Sequence, residues 1–338
     1  NTEGCQNVAM GMSALVLNTT GDNNVAIGRL SLTTNTTAND NTAVGFESLK
    51  ANTTGDSHTA VGLKALLSNT TGLCNTAIGA YSLDANTTGC CNTAVGLGTL
   101  GANTTAINNT AIGSCSLFAN TTGDSNTAVG TDALKANTTA GENTAVGYRS
   151  LTANTTGGTN SAFGRGAMQT NTTGSGNVAV GTNSLNANTT GADNTAVGFC
   201  ALKANTTGTF NTAIGRLALC GNTTGGNNTA VGINALHQTT TGGQNTAVGR
   251  EALTNNTGND NTAMGYQALN ANTSGISNVA IGRDALHDNT TGKCNTSIGR
   301  EAGCTTTTGC NNIIIGLSST SSSATVSHEI TLGNGSNN

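Results

Sequence analysis

The chain has 338 residues, with 47 glycines, no proline, no tryptophan, and only 8% charged and 2% aromatic residues. With so few bulky side chains it lacks the anchors of one large core, which argues against an ordinary α/β enzyme. A net charge of −4 leaves no basic surface for nucleic acid. No apolar run approaches the roughly 20 residues of a membrane helix, so we expect no membrane insertion in this segment.

A single repeat unit runs through the whole sequence. The glycine that ends each Asn-Thr-Ala-Val-Gly-like segment recurs every 17 residues from Gly11 to Gly333, with one 16-residue step that ends at Gly265. A fixed period of this size is typical of solenoids. We predict a β-solenoid repeat domain at 1–316, and the last coil with a C-terminal transition segment at 317–338.

The first predicted element of each unit is a three-residue β-strand, Thr42–Val44 in the unit 41–57. Its outer residues Thr42 and Val44 share one face, and Leu49 returns an apolar side chain toward that face. Because the positions of Val44 and Leu49 are apolar in nearly every unit, we assign both to the core.

The second predicted element is the turn Asn52-Thr53-Thr54-Gly55, in which we expect glycine to adopt positive φ. The equivalent glycines are Gly21, Gly72, Gly89, Gly123, Gly157 and Gly174. A unit with two glycines and β-branched residues leaves no room for a helix. We therefore predict an all-β fold, a parallel β-solenoid (β-roll) of about 20 coils stacked about 4.8 Å apart.

The position after each repeat glycine mixes arginine with aromatic residues. Large side chains with apolar stems and polar ends are enriched at subunit interfaces, and one coil has too thin a core to stabilise itself. We therefore expect a homotrimer with this position at its seam, and a solvent-facing rank is the alternative. The seam candidates are Arg29, Phe46, Tyr148, Arg165, Phe199, Arg216, Arg250, Tyr266, Arg283 and Arg300.

The segments Asn24-Val25-Ala26-Ile27-Gly28 and Ser277-Asn278-Val279-Ala280-Ile281-Gly282 resemble the head repeat of YadA-like trimeric autotransporter adhesins, although the period is longer here. Residues 324–334 look like the segment that precedes the self-cleaving chaperone domain of phage-type tail fibres. The first likeness implies trimeric, left-handed parallel β-rolls. Both imply an extracellular fibre on a cell or virion surface that binds an unknown receptor or glycan and has no chemistry of its own. The alternatives are a self-assembling extracellular filament, with or without glycans, and an ice-binding solenoid.

The ten cysteines lack the C-x-x-C spacing of zinc sites. Because stacked Cα atoms about 4.8 Å apart fall within disulfide range, the register predicts bridges between consecutive coils. They would join Cys74 to Cys91 or Cys90, and Cys294 to Cys310, with free thiols as the alternative. Four cysteines have no neighbour in register, and free thiols and pairs across subunits are the alternatives for them: Cys115, Cys200, Cys220 and Cys304.

The asparagine that opens each turn also fits the N-glycosylation pattern. A stacked ladder of asparagine amides explains the same residues without modification. The candidate glycosylation sites are Asn18, Asn35, Asn52, Asn69, Asn86, Asn103, Asn120, Asn137, Asn154, Asn171, Asn188, Asn205, Asn222, Asn272 and Asn289.

Catalytic constellations are missing from the sequence. The four histidines fall at three different positions of the repeat, and carboxylates such as Asp56 are ordinary turn residues. We therefore expect no enzymatic activity, no cofactor and no metal site.

Overall fold

The computed structural model of the chain describes residues 2–333. It divides into two compact units, Asn1–Thr173 and Gly174–Asn338. Three-residue strands recur at the repeat period in both units, and the described residues contain no helix. Residue 1 of the predicted repeat domain and residues 334–338 of the predicted transition segment lie outside the described residues.

The first unit contains ten parallel strands that pair in sequence order, each residue with the residue one repeat later, as Thr42 pairs with Thr59. The predicted parallel β-solenoid is confirmed. The strands are β1 Val8–Met10, β2 Val25–Ile27, β3 Thr42–Val44, β4 Thr59–Val61, β5 Thr76–Ile78, β6 Thr93–Val95, β7 Thr110–Ile112, β8 Thr127–Val129, β9 Thr144–Val146 and β10 Ser161–Phe163.

The second unit repeats this arrangement, and its single 16-residue step falls between β15 and β16, where Thr246 pairs with Thr262. The predicted boundary between residues 316 and 317 lies within this unit and stays a prediction. The strands are β11 Val178–Val180, β12 Thr195–Val197, β13 Thr212–Ile214, β14 Thr229–Val231, β15 Thr246–Val248, β16 Thr262–Met264, β17 Val279–Ile281, β18 Thr296–Ile298, β19 Ile313–Ile315 and β20 Ile330–Leu332.

The core of each coil is narrow and partly polar. In the coil of β3, Ala43 and Leu49 are fully buried, and so is the small side chain of Ser48. Asn41 and Asn52 are also fully buried, so amides share the interior with methyl and isobutyl groups. The prediction that Leu49 belongs to the core is confirmed.

The prediction that Val44 belongs to the core is wrong. Ala43, the middle residue of the strand, points inward, so Thr42 and Val44 point outward and are partly exposed. The reason is the width of the coil, because Leu49 leaves room for little more than a methyl group on the strand. Alanine holds the middle position in every coil except the last three, which have Ser297, Ile314 and Thr331.

The exception at Ile314 supports this explanation. Ile314 is fully buried although its side chain is much larger than that of alanine. The preceding coil has Gly303 at the position of Leu49, and Ile314 Cδ1 lies 3.0 Å from the point where a Cβ of Gly303 would stand. A large side chain on the strand and a small one opposite it therefore conserve the interior volume.

Two ladders of buried asparagine amides run along the coils. In the first, Asn69 Nδ2 donates to Asn52 Oδ1 at 2.9 Å and Asn86 Nδ2 donates to Asn69 Oδ1 at 2.8 Å. This confirms the amide ladder predicted in the turn. The second ladder was not predicted: the backbone N–H of Asn92 donates to Asn75 Oδ1 at 2.9 Å, one residue before the strand begins.

The turn ladder is interrupted in the second unit where threonine replaces asparagine. Thr239 and Thr306 take the place of asparagine in the ladder. The preceding amide oxygens, Asn222 Oδ1 and Asn289 Oδ1, are buried and accept no hydrogen bond from any described residue. A buried acceptor without a donor is destabilising, so these rungs are the weak points of the ladder.

The prediction that the turn glycines adopt positive φ is wrong. Among the described residues, none of Gly21, Gly55, Gly72, Gly89, Gly123, Gly157 and Gly174 lies in the left-handed region. A Cβ at Gly55 would instead overlap the carbonyl oxygen of Gly72 in the next coil and stand 2.6 Å from Asn52 Oδ1. Close approach of successive coils therefore favours glycine at this position, although Ala38, Ala106, Ala140 and Val326 occupy it in other coils.

Positive φ occurs at other positions of each coil. Gly45 has a φ of 137°, and a Cβ there would stand 2.7 Å from the carbonyl carbon of Gly62. Three residues that are not glycine, Glu47, Leu49 and Ser57, have φ values of 56°, 49° and 62°. These left-handed residues are sterically unfavourable individually, so the stacked hydrogen bonds must hold them in place.

Candidate functional site

The outward strand face, formed by the positions of Thr42, Val44 and Phe46 in each 17-residue repeat, is the most extended candidate surface. The Val44 position is apolar in all 20 coils and varies in size from Val to Phe163 and Met264. Exposure at this position is 41% at Ile78 and 42% at Met264, and it is higher in β1 and β20, with 60% at Met10 and 72% at Leu332. Each of the two compact units therefore presents a continuous rank of partly exposed apolar side chains, which is typical of an interaction surface.

The seam candidates form the third rank of this outward strand face. All ten are exposed in the structure: Arg29, Phe46, Tyr148, Arg165, Phe199, Arg216, Arg250, Tyr266, Arg283 and Arg300. Neighbouring members contact one another, since the Arg29 guanidinium lies 5.6 Å from the centre of the Phe46 ring. Tyr266 receives two guanidinium groups, from Arg250 and Arg283, each 5.7 Å from its ring centre. Such contacts add modest attraction at exposed sites.

Ion pairs orient three of the four arginines in the second unit, Arg250, Arg283 and Arg300. Arg250 Nη2 lies 3.0 Å from Glu251 Oε1, and Arg300 Nη2 lies 2.9 Å from Glu301 Oε1. Hydrogen bonds from Gln267 and from Arg250 hold the pKa of Glu251 below its usual value. Pairs this exposed contribute about 0–1 kcal/mol each, so they position the guanidinium groups more than they stabilise the fold.

The disulfide candidates are all free thiols in the structure: Cys74, Cys90, Cys91, Cys294 and Cys310. Two of them have another role, because Cys90 Sγ accepts the backbone N–H of Leu73 at 3.3 Å and Cys310 Sγ accepts that of Lys293 at 3.4 Å. Asp56 Oδ1 does the same for Asn39 N–H at 2.6 Å. This turn position thus supplies an acceptor to the previous coil, and the bridges stay a prediction.

The prediction from register, which compares cysteines about one repeat apart, overlooks one pair of cysteines that lie side by side. A residue two positions after the repeat glycine lies beside the residue 20 positions later, as the hydrogen bond from Thr152 Oγ1 to the Asp132 carbonyl shows. Cys200 and Cys220 have this spacing. Burial and the nearby Cys200 raise the pKa of the Cys220 thiol. The sequence rule considered only residues one repeat apart and therefore placed neither thiol beside the other.

His58 is the one histidine that the fold buries. It replaces asparagine in the ladder before the strand, and it is 1% exposed. The backbone N–H of Asn75 points at His58 Nδ1 at 3.1 Å, so the neutral ring carries its proton on Nε2, 2.7 Å from the Gly72 carbonyl oxygen. Burial lowers the pKa of this imidazole. His58 is therefore a neutral ladder residue in this fold.

The candidate glycosylation sites lie inside the coils. The side chains of Asn52 and Asn86 are fully buried, and Asn52 Nδ2 donates to the carbonyl of Gly55 at 2.8 Å and to Asn35 Oδ1 at 3.2 Å. A glycan on that nitrogen would replace one of these hydrogen bonds and would need space at a buried atom. Glycosylation of a rung therefore requires the coil to lose one of these hydrogen bonds and to open at the buried nitrogen.

The turn threonines divide into two kinds. Thr53 Oγ1 donates to the Thr70 carbonyl of the next coil at 3.1 Å, so its hydroxyl is used inside the fold. Thr54 is exposed. Only one rank of turn hydroxyls therefore faces solvent.

Within residues 2–333, no three His, Cys, Asp or Glu side chains come together in a way that could hold a metal ion. No helix with the length and hydrophobicity of a membrane span occurs in the same residues. No protein-family model matches the chain, and neither does any curated protein.

Proposed function

We propose that the chain is a segment of an extracellular fibre, from a surface adhesin or a phage-type tail fibre, and that it acts by binding rather than by catalysis. The observation that carries the proposal is the outward strand face. Its apolar rank is exposed along the coils of each unit, next to a rank of arginine and aromatic residues. Exposed apolar stripes with polar rims are typical of surfaces that assemble.

In this proposal the outward strand face is the seam of a homotrimer. Val44 and its equivalents supply the apolar contact, and arginines such as Arg283 supply planar groups that stack and pair at the rim. The narrow core explains the need for partners, because most coils bury one Leu and only one or two Ala side chains together with several polar groups. Association would cover the apolar rank that each coil leaves in water.

The two alternative functions have less support. Ice binding by the turn threonines needs ordered ranks of free hydroxyls, whereas Thr53 and its equivalents donate theirs to the next coil. Glycans on a filament would need accessible asparagine amides, whereas Asn52 and Asn86 are buried. A filament without glycans differs from a closed trimer by its open series of sizes. Neither observation affects a fibre whose chains associate through the outward strand face.

The adhesive role is tested by retention on coated beads. Fluorescently labelled full chain is incubated with beads coated with lipopolysaccharide, peptidoglycan or cellulose, and albumin-coated beads serve as the control. We expect saturable retention on at least one polysaccharide coat, at least tenfold above the albumin control. Retention at the albumin level on all three coats would contradict adhesion to these surface classes.

Trimer-dependent avidity is tested with the same beads. The double variant Ile78→Lys with Ile112→Lys places charges on the apolar rank, where both residues are 41% exposed. If retention depends on several linked binding sites, disrupting association should lower it by tenfold or more. Undiminished retention by a monomeric double variant would show that the proposed assembly is not needed for binding.

A further inference from the structure

A cavity of about 420 Å³ opens on the side of the first unit, beside the coils of β5, β6 and β7. It exists because side chains are missing from one coil. Two and five positions after the repeat glycine, the coil of β3 has Glu47 and Lys50, whereas the coil of β6 has Gly98 and Gly101. The coils on either side keep side chains at these positions, Tyr81 and Asp84 in the coil of β5 and Cys115 and Phe118 in the coil of β7, so the omission leaves a notch between them.

The walls of the notch are two aromatic rings and a carboxylate. Phe118 packs over the glycines, with ring atoms 3.7 Å and 3.2 Å from the points where a Cβ of Gly98 and of Gly101 would stand. Asp84 Oδ1 lies 3.4 Å from the same point at Gly101. Tyr81 forms the opposite wall. Both rings remain about two-fifths exposed, so each presents an open surface to a ligand.

Charges of both signs lie around the notch. Burial raises the pKa of the half-buried Asp84 carboxyl, and the positive charge of Lys64 opposes that shift. Lys64 Nζ lies 5.9 Å from the centre of the Tyr81 ring and 3.9 Å from Glu47 Oε2. A cationic ligand over Tyr81 would meet the ammonium group of Lys64, whereas a neutral ligand with hydroxyl groups would meet no like charge.

We propose that this notch binds one pyranose ring of a surface saccharide. The apolar C–H face of the sugar would lie against the Phe118 or Tyr81 ring, and a sugar hydroxyl would donate a hydrogen bond to the Asp84 carboxylate. The volume lies within the range of small-molecule sites, about 300–1,000 Å³, and apolar walls with one polar group that fixes orientation are typical of such sites. This inference names a ligand class for the proposed adhesive function and rests on it for the biological source of the sugar.

The test uses tyrosine emission from the full chain. The chain has no tryptophan and three tyrosines, so Tyr148→Phe with Tyr266→Phe leaves Tyr81 as the only emitter. The probes are the methyl glycosides of glucose, galactose and mannose, N-acetylglucosamine, and tetramethylammonium chloride. We expect a saturable change with at least one sugar and a larger dissociation constant, by tenfold or more, in both Asp84→Asn and Gly98→Gln.

A matched control separates blocking of the notch from a general effect on the fold. Gly98 has a φ of 60°, and Gln267 adopts 54° at the equivalent position, so Gly98→Gln fits the local backbone. Gly166 occupies the same repeat position in the coil of β10, with a φ of 63°. Gly166→Gln should therefore leave the sugar dissociation constant within twofold.

Three outcomes would overturn the saccharide notch: no saturable response to any sugar, equal sugar affinity in Gly98→Gln, or a response to tetramethylammonium alone that Asp84→Asn abolishes. The bead assay separates this failure from that of the proposed function. Retention of the parent chain together with no sugar response leaves the adhesive role intact and removes the notch. A sugar response that depends on Gly98, with no retention on any coat, leaves the notch intact and contradicts the adhesive role.

Discussion

Replacing one asparagine of the turn ladder should destabilise the coils around it by several kilocalories per mole. Asn86 Nδ2 donates to Asn69 Oδ1 at 2.8 Å, and Asn86 Oδ1 accepts from Asn103 Nδ2 at 2.8 Å. Asn86→Ala leaves both of these buried partners short of one hydrogen bond. The carbonyl of Gly89, which Asn86 also contacts, keeps the hydrogen bond from Asn75 at 2.7 Å. Two deficient groups at about 1–3 kcal/mol each give about 2–6 kcal/mol.

The assay is native-state hydrogen exchange, because a solenoid responds to a defect mainly in neighbouring coils and global unfolding need not be two-state. Amides of the coils of β4 to β7 should exchange faster, and amides of the coil of β2 should not. Thr88→Ala, at an exposed residue of the same turn, is the matched control and should change stability by less than about 0.5 kcal/mol. Thr239→Asn should slow exchange by giving Asn222 Oδ1 a donor. Equal exchange in Asn86→Ala and Thr88→Ala would refute the claim that the ladder stabilises the coils.

Three further predictions concern single positions. Because burial lowers the pKa of His58, the unfolded chain binds a proton on this imidazole more tightly than the folded chain does, and stability should fall as pH drops below about 6.5. Urea titrations at pH 7 and pH 5 should show this loss in the parent chain, and His58→Asn should remove it. Gly79→Ala should lower the free energy of unfolding by more than about 1 kcal/mol in the same titrations, because Gly79 has a φ of 132° and a Cβ there would stand 2.7 Å from the Gly96 carbonyl carbon. A smaller loss would mean that the coils separate easily. Iodoacetamide at pH 8 should alkylate the exposed Cys74 at least fivefold faster than Cys220, because burial raises the pKa of the Cys220 thiol. Recovery of Cys74 only in a disulfide-linked peptide would instead support the inter-coil bridge.

The repeat period was sufficient to predict the architecture, since a 17-residue unit without helix-forming stretches has few ways to bury apolar groups other than stacking. The same alignment correctly placed Leu49 in the core and Asn52 in an amide ladder. It placed the strand face the wrong way round because alternation alone does not say which face is inside. The constancy of alanine at the Ala43 position, against the varied sizes at Val44, contains that information.

The remaining errors have a common physical cause, which is that contacts between consecutive coils override the local preferences of single residues. Gly55 suggested a positive φ because glycine often serves that purpose, whereas here the constraint is contact with Gly72 in the next coil. The left-handed residues are instead Leu49 and Glu47, which no propensity rule would choose. The notch at Gly98 depends on side chains missing from one coil while its neighbours keep theirs, and comparison of consecutive units would have revealed it.

The mass of the native particle tests the central claim, that the outward strand face joins copies of the chain. Native mass spectrometry of the full chain should show one species of about 100 kDa, three times the 33.2 kDa of a single chain. Ile78→Lys with Ile112→Lys should shift it to the monomer mass, whereas Thr71→Lys with Thr105→Lys, at exposed turn residues, should not. A parent chain that remains a 33 kDa monomer, or that forms an open series of sizes, would contradict the closed trimer.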